Sequence, residues 1–295
     1  MGISVWSTWF FGPAFRAALG RFTLIAAIAF FLVHLGLFAL KPWIPQLEPN
    51  PLFASPINAI YTPFSVLLFY EVYLLVYYLR RSTTIYIGKQ YEIIALILIR
   101  GIFKDMTHLD LTKSGLLSLA NLDLATDLVT VAVVYALIYV FYRISGYFQS
   151  KANTAYDQPM EPGSLRRFVR SKNTLALVLL LFLTGLSLYS FVDWLGSNEL
   201  GAAPVLDLNA IFFDPFYTVL IMSDVLILLL SLLYSDDFPT IIRNSSFVVS
   251  TILLKFSFSA ESGISQLLIV TGVGFGVLML QLSNAFYRIN YVKNP

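Results

Sequence analysis

Two carboxylates stand in segments built for lipid. Residues 67–75 read LLFYEVYLL and residues 220–228 read LIMSDVLIL, so Glu71 and Asp224 each interrupt an apolar run. A lone carboxylate at the centre of a bilayer costs about 2.5–3.5 kcal/mol on insertion scales, so each needs a partner. A base follows each acid in the next apolar segment: Arg100 in ALILIRGIF (95–103) and Lys255 in STILLKFSF (250–258). Helix arithmetic brings them together. Glu71 lies some 18 Å below the outer start of its helix and Arg100 some 7 Å below the outer end of the next, at 1.5 Å per residue. A long guanidinium stem largely closes the remaining ~10 Å. The same reasoning sets Asp224 below Lys255. Two intramembrane ion pairs are expected, Glu71–Arg100 and Asp224–Lys255.

Two kinds of work suit such pairs. The acids can be charge sites for a proton or small ion, gated by the cations, or the pairs can pin register and rotation between apolar helices. His34, mid-way along the first apolar run, titrates near neutral pH and suits a relay with Glu71, or else is a hydrogen-bonded packing residue. Glu92 is read as a further buried acid, with no charge to match it in the Asn244-Ser245-Ser246 stretch of the second half. Tyr70, Tyr73, Tyr77 and Tyr78 stack along one helix, to bond the carboxylates or simply to pack.

Several chemistries are excluded. The chain has no cysteine, hence no disulfide, thiolate-bound zinc, iron–sulfur cluster or thiol nucleophile. Its two histidines, His34 and His108, rule out a multi-histidine metal or haem site within one chain. His108 lies with Asp105 and Asp110 in KDMTHLDLTKSG, a solvated loop or a weak cation site. No HExxH, GxSxG or Walker pattern occurs, and no nucleophile–base constellation supports an enzyme acting on lipid. No cofactor or metal is expected. A net charge of +2 offers no field for nucleic acid. A voltage sensor would need a ladder of arginines, and none is present.

The elements that hold these residues follow from composition. The 295 residues are 58% hydrophobic and 12% charged, against roughly 25% charged in a soluble domain. Eight apolar segments of about 20 residues are legible, at 22–40, 59–79, 85–104, 125–142, 173–192, 211–234, 241–259 and 265–287. The first is too long for a cleaved signal peptide and is read as retained. With both termini cytoplasmic, fourteen of the 19 Lys and Arg fall inside; Lys41, Arg100, Lys104, Lys113 and Lys255 fall in the outer half. That is the positive-inside bias.

The chain repeats itself. INAIYTPFSVLLFYEVYLLVYYL (57–79) aligns with LNAIFFDPFYTVLIMSDVLILLLSLL (208–233), matching Asn58 to Asn209, Pro63 to Pro215 and Glu71 to Asp224. ALILIRGIF lies on STILLKFSF, and VFYRIS (140–145) on AFYRIN (285–290). Four spans per half give both halves the same orientation, hence parallel repeats about an axis along the membrane normal. The expected organisation is an interfacial segment over 1–21, carrying Trp6, Trp9, Phe10, Phe11, Phe15 and Arg16; a first repeat over 22–144; a polar linker with a basic end over 145–172; and a second repeat over 173–295. Gly272 and Gly276 in TGVGFGV form a small-xxx-small face for close helix approach, within the fold or in a dimer.

The four-span unit resembles the phosphate-starvation-inducible PsiE family of small bacterial membrane proteins. The resemblance covers roughly 60–140 and is carried by Phe69-Tyr70-Glu71, by the aliphatic run ending in Ile99-Arg100, by Asp105 and by Asp127. The second half keeps the acid and the cation but lacks counterparts of Asp105 and Asp127. The resemblance implies a bacterial inner-membrane protein with the acid–arginine pair as a signature of the fold, and implies no activity. The expected protein is therefore an all-α, eight-span membrane protein of two parallel four-helix repeats. It is either a small ion or proton pathway or a non-catalytic scaffold or accessory subunit of a membrane complex. Its partners are lipids and other membrane proteins, and its oligomeric state is left open.

Overall fold

The computed structural model describes residues 9–44, 53, 56–106, 119–146, 170–185, 189, 208–232, 238–260 and 263–293. The loop around His108 and most of the 145–172 linker lie outside them. The described chain is helical, with no strand: α1 Pro13–Leu40, α2 Tyr61–Leu79, α3 Thr83–Met106, α4 Leu119–Ile144, α5 170–185, α6 Leu208–Leu232, α7 Phe238–Ser257 and α8 Ile264–Lys293. Residues 13–21, expected to belong to a separate interfacial segment, are the first turns of α1.

Local signals set several boundaries. Pro13 opens α1 after an extended Gly12, where a missing N–H costs nothing. Ser82 caps α3, its hydroxyl accepting from the Ile85 N–H. Gly146 ends α4 at φ 65°, and Gly263 turns the chain into α8 at φ 86°, both left-handed conformations that favour glycine. Within the apolar helices, Thr23, Thr130, Thr184, Ser223 and Ser246 each donate to the carbonyl four residues back. Their hydroxyls are thus satisfied without water.

Among the described residues four helices are long and apolar enough to cross a membrane: Pro13–Trp43, Asn58–Leu79, Leu124–Ile144 and Ile264–Tyr287; Thr218–Leu232 is apolar but shorter. Large apolar side chains face outward along α1, among them Phe22, Ile25, Ile28 and Leu32, whereas Thr23 and His34 are buried. In α7 half of the residues are buried, among them Asn244, Phe247, Thr251, Leu254 and Lys255, whereas Val249 and Phe256 face outward. Polar inward and apolar outward is the arrangement a bilayer selects. This is an all-α membrane protein.

The chain divides into two compact units. The first holds Met1–Tyr77, Arg100–Asp110 and Ala176–Phe216; the second holds Tyr78–Ile99, Leu111–Leu175 and Tyr217–Pro295. Each draws on both halves of the sequence. In the second, α8 packs against α7 and α4, around the rings of Tyr91, Phe141 and Phe247. Gln266 donates to Asp127 near one end of the α4–α8 contact, and Asn284 donates to the Ile144 carbonyl at the other. Gly272 and Gly276 serve this packing. A Cβ on Gly272 would press on Leu254 and on the Ser250 carbonyl, and one on Gly276 would collide with the Tyr91 hydroxyl.

Candidate intramembrane charge sites

Both expected ion pairs are formed. In the first unit, Arg100 Nη2 donates to Glu71 Oε2 at 2.8 Å. In the second, Lys255 Nζ donates to Asp224 Oδ2 at 2.8 Å. All four residues are buried.

Their surroundings differ. Asp224 sits in a ring of donors. Tyr86 gives its hydroxyl to Oδ1 at 2.8 Å, Gln90 gives its amide to both oxygens at 3.2 and 3.3 Å, and Thr251 reaches Oδ2 at 3.2 Å. Helix spacing makes the ring: Tyr86 and Gln90 are four apart on α3, as are Thr251 and Lys255 on α7, so each pair shares a face. Beside Asp224 lies a cavity of about 10 Å³, enough for one water. Below it Asn244 donates to Ser231 at 3.0 Å, and Tyr91 and Ser250 share a bond of 2.7 Å while Ser250 donates to the Gly272 carbonyl.

The Glu71 site is sparse. Arg100 makes one bond to the carboxylate, and its buried Nε and Nη1 have no hydrogen-bond partner among the described residues. A buried donor left unpaired costs about 1–3 kcal/mol, more for a charged group. Phe64 and Phe103 stack nearby in sequence on the same two helices, at 5.1 Å.

The remaining expected residues separate. His34 Nδ1 bonds to Thr62 Oγ1 at 2.6 Å, and its ring packs on Phe53 at 4.9 Å. Thr62 lies about two and a half turns from Glu71 along α2, roughly 13 Å, so this bond does not place His34 on the carboxylate. Glu92, expected to be buried, keeps 37% of its side chain accessible; it pairs with Lys89 at 2.6 Å and accepts from Tyr142 at 2.6 Å. It stands nine residues into α3, near the basic end, where lysine can reach it. Tyr70, Tyr73 and Tyr77 stack at 6.2 and 6.0 Å, Tyr73 donates to the Phe10 carbonyl, and the Arg16 guanidinium lies 5.1 Å over the Tyr77 ring. Sequence reasoning missed Tyr86, Gln90 and Thr251. The i,i+4 spacing of Tyr86 and Gln90 shows that they share a face, but nothing in it points to an acid more than a hundred residues away.

A third buried cation stands just before the fifth apolar segment. Lys172 donates to the Arg81 carbonyl at 2.7 Å, and burial pushes its amine down to about 8. Among the described residues no three His, Asp or Glu side chains gather as a metal site requires. The chain has no match among protein-family models, curated proteins or solved structures.

Proposed function

We infer that the chain is an eight-span membrane protein of two parallel repeats that provides a proton or small-ion pathway, with Glu71–Arg100 as its working charge site. The carrying observation is the sparse bonding of that pair. A carboxylate held by a single bond, facing a guanidinium with two nitrogens that make no hydrogen bond among the described residues, has one contact to exchange for a water or an ion and donors at hand to receive it. The stacked tyrosines of α2, ending at Arg16, supply a polar line from Glu71 toward the basic end of the helix. The packing of α4 on α8, which end in the matched VFYRIS and AFYRIN, supports a twofold axis between the repeats. The PsiE-like pattern supports a bacterial inner membrane.

A second reading, a scaffold or accessory subunit, is favoured by Asp224. The bonds it accepts from Tyr86, Gln90, Thr251 and Lys255, and the close packing around it, suit a pin, not a passage.

Proton flux into liposomes holding the purified protein, read with an entrapped pH dye, separates these readings. The pathway predicts flux in the wild type that Glu71→Gln removes; absence of flux in the wild type under both proton and cation gradients leaves the scaffold. Topology is tested on a clean background, because the chain has no cysteine. Single cysteines at Ser150 and Asn294 should label from the cytoplasmic side, and those at Thr112 and Gly201 from the other. Opposite labelling of Ser150 and Asn294 would break the parallel arrangement.

A further inference from the structure

The geometry points to a bound anionic phospholipid in the first compact unit, one acyl chain seated in an apolar groove and its phosphate at Arg16. The inference rests on the membrane reading above. The groove has a volume of about 400 Å³ and is walled by Phe15 and Leu19 of α1, Val72 and Tyr73 of α2, and Leu183 and Thr184 of α5. That space is many times the roughly 10–15 Å³ that one water needs on the same measure, room for a hydrocarbon chain. Its two polar wall groups are engaged by backbone: the Tyr73 hydroxyl by the Phe10 carbonyl and the Thr184 hydroxyl by the Leu180 carbonyl. The walls therefore ask for hydrocarbon.

Charge fixes the class of lipid. Arg16 follows Phe15 on α1, and its guanidinium lies over Tyr77, which stacks on the wall residue Tyr73. The half-buried guanidinium of Arg16 is thus linked to the groove wall through Tyr77 and Tyr73, on the side where α1 begins and α2 ends. Trp9, outward-facing at 60% exposure, packs on Phe10 and Phe15 at 4.9 and 4.8 Å, the position of an aromatic ring at the level of lipid headgroups. A guanidinium binds a phosphate through paired N–H groups. An anionic headgroup brings no ammonium of its own to oppose Arg16. Val72 and Tyr73 directly follow Glu71, so the seated chain packs against the turn of α2 that carries the working acid.

The test uses the whole protein in nanodiscs of phosphatidylglycerol and phosphatidylcholine at equal amounts, followed by mild detergent extraction and native mass spectrometry. The wild type should retain a phosphatidylglycerol in preference to phosphatidylcholine. Arg16→Gln should cut that preference about fivefold, the worth of one basic side chain at an anionic surface. Leu183→Trp, which fills the groove, should cut retention of both lipids about tenfold; Leu267→Trp, at an outward position in the second unit, should change neither. If Leu183→Trp does not fold, the preference lost in Arg16→Gln carries the test alone. Retained lipid in the bilayer's own ratio, unchanged by Arg16→Gln, overturns the proposal while leaving the membrane reading intact. A chain that does not enter nanodiscs at all overturns both.

Discussion

Glu71 and Asp224 occupy matched places in matched segments, each faces the matched cation of the next helix, and each pair closes to 2.8 Å. Around the pairs the likeness ends. Extending the register that sets Arg100 on Lys255 places Leu96 opposite Thr251, Ile241 opposite Tyr86 and Ser245 opposite Gln90. Three positions that supply Asp224 with donors thus have counterparts that are apolar or shorter. The acid and its base occur in both halves of the sequence; what differs is the set of residues around them. A carboxylate in a full ring of donors is fixed by several contacts at once, whereas one with a single donor has one contact to exchange. This difference is the physical basis for giving the two sites separate work.

The comparison can be broken most severely at Asp224. Lys255→Met leaves that carboxylate buried without its cation, and the expected loss is about 3–5 kcal/mol, read as a lower melting temperature in detergent. A melt within error of the wild type would mean that the donor ring alone holds the acid. Next comes Glu71→Gln, which keeps an acceptor for Arg100 but removes its counter-charge, for an expected loss of about 3 kcal/mol, the low end of the range for a broken buried pair. A loss larger than that of Lys255→Met would reverse the ranking of the sites. Gly276→Val drives a side chain into the Tyr91 hydroxyl beside Ser250, with an expected cost of about 1–3 kcal/mol of overpacking. Tyr91→Phe in the same chain should recover part of it. The smallest effect concerns Lys172, a buried cation resting on a carbonyl. Its folded value of about 8 lies below its ordinary 10.5, so between those values the folded chain holds fewer protons than the unfolded one. Stability from this group therefore rises with pH across that window. The melting temperature of the wild type should climb more from pH 8 to 10 than that of Lys172→Met; equal slopes would discard the assignment.

Much of the architecture was legible before any coordinates. Apolar runs marked the helices because lipid-facing surfaces must be apolar. The two ion pairs were legible because a repeated acid needs a repeated base within one helix hairpin. Other features were not. Tyr86 and Gln90 meet Asp224 across 138 and 134 residues of chain, and no local pattern encodes that meeting. Glu92 looks buried by its place in an apolar run, yet lies close enough to the basic end of α3 for Lys89 to reach it. The helices α3 and α7 read as spans by eye but carry polar groups on their packed faces, which lowers their hydropathy below that of α1, α2, α4 and α8.

The central claim is that one ion pair works and the other pins. Its most direct test is flux and melting measured together on Glu71→Gln and on Asp224→Asn in the same liposome and detergent preparations. The account predicts that Glu71→Gln loses flux while melting nearer the wild type, and that Asp224→Asn melts lower but conducts at temperatures where it remains folded. Equal loss of flux and equal loss of stability in both variants would contradict it.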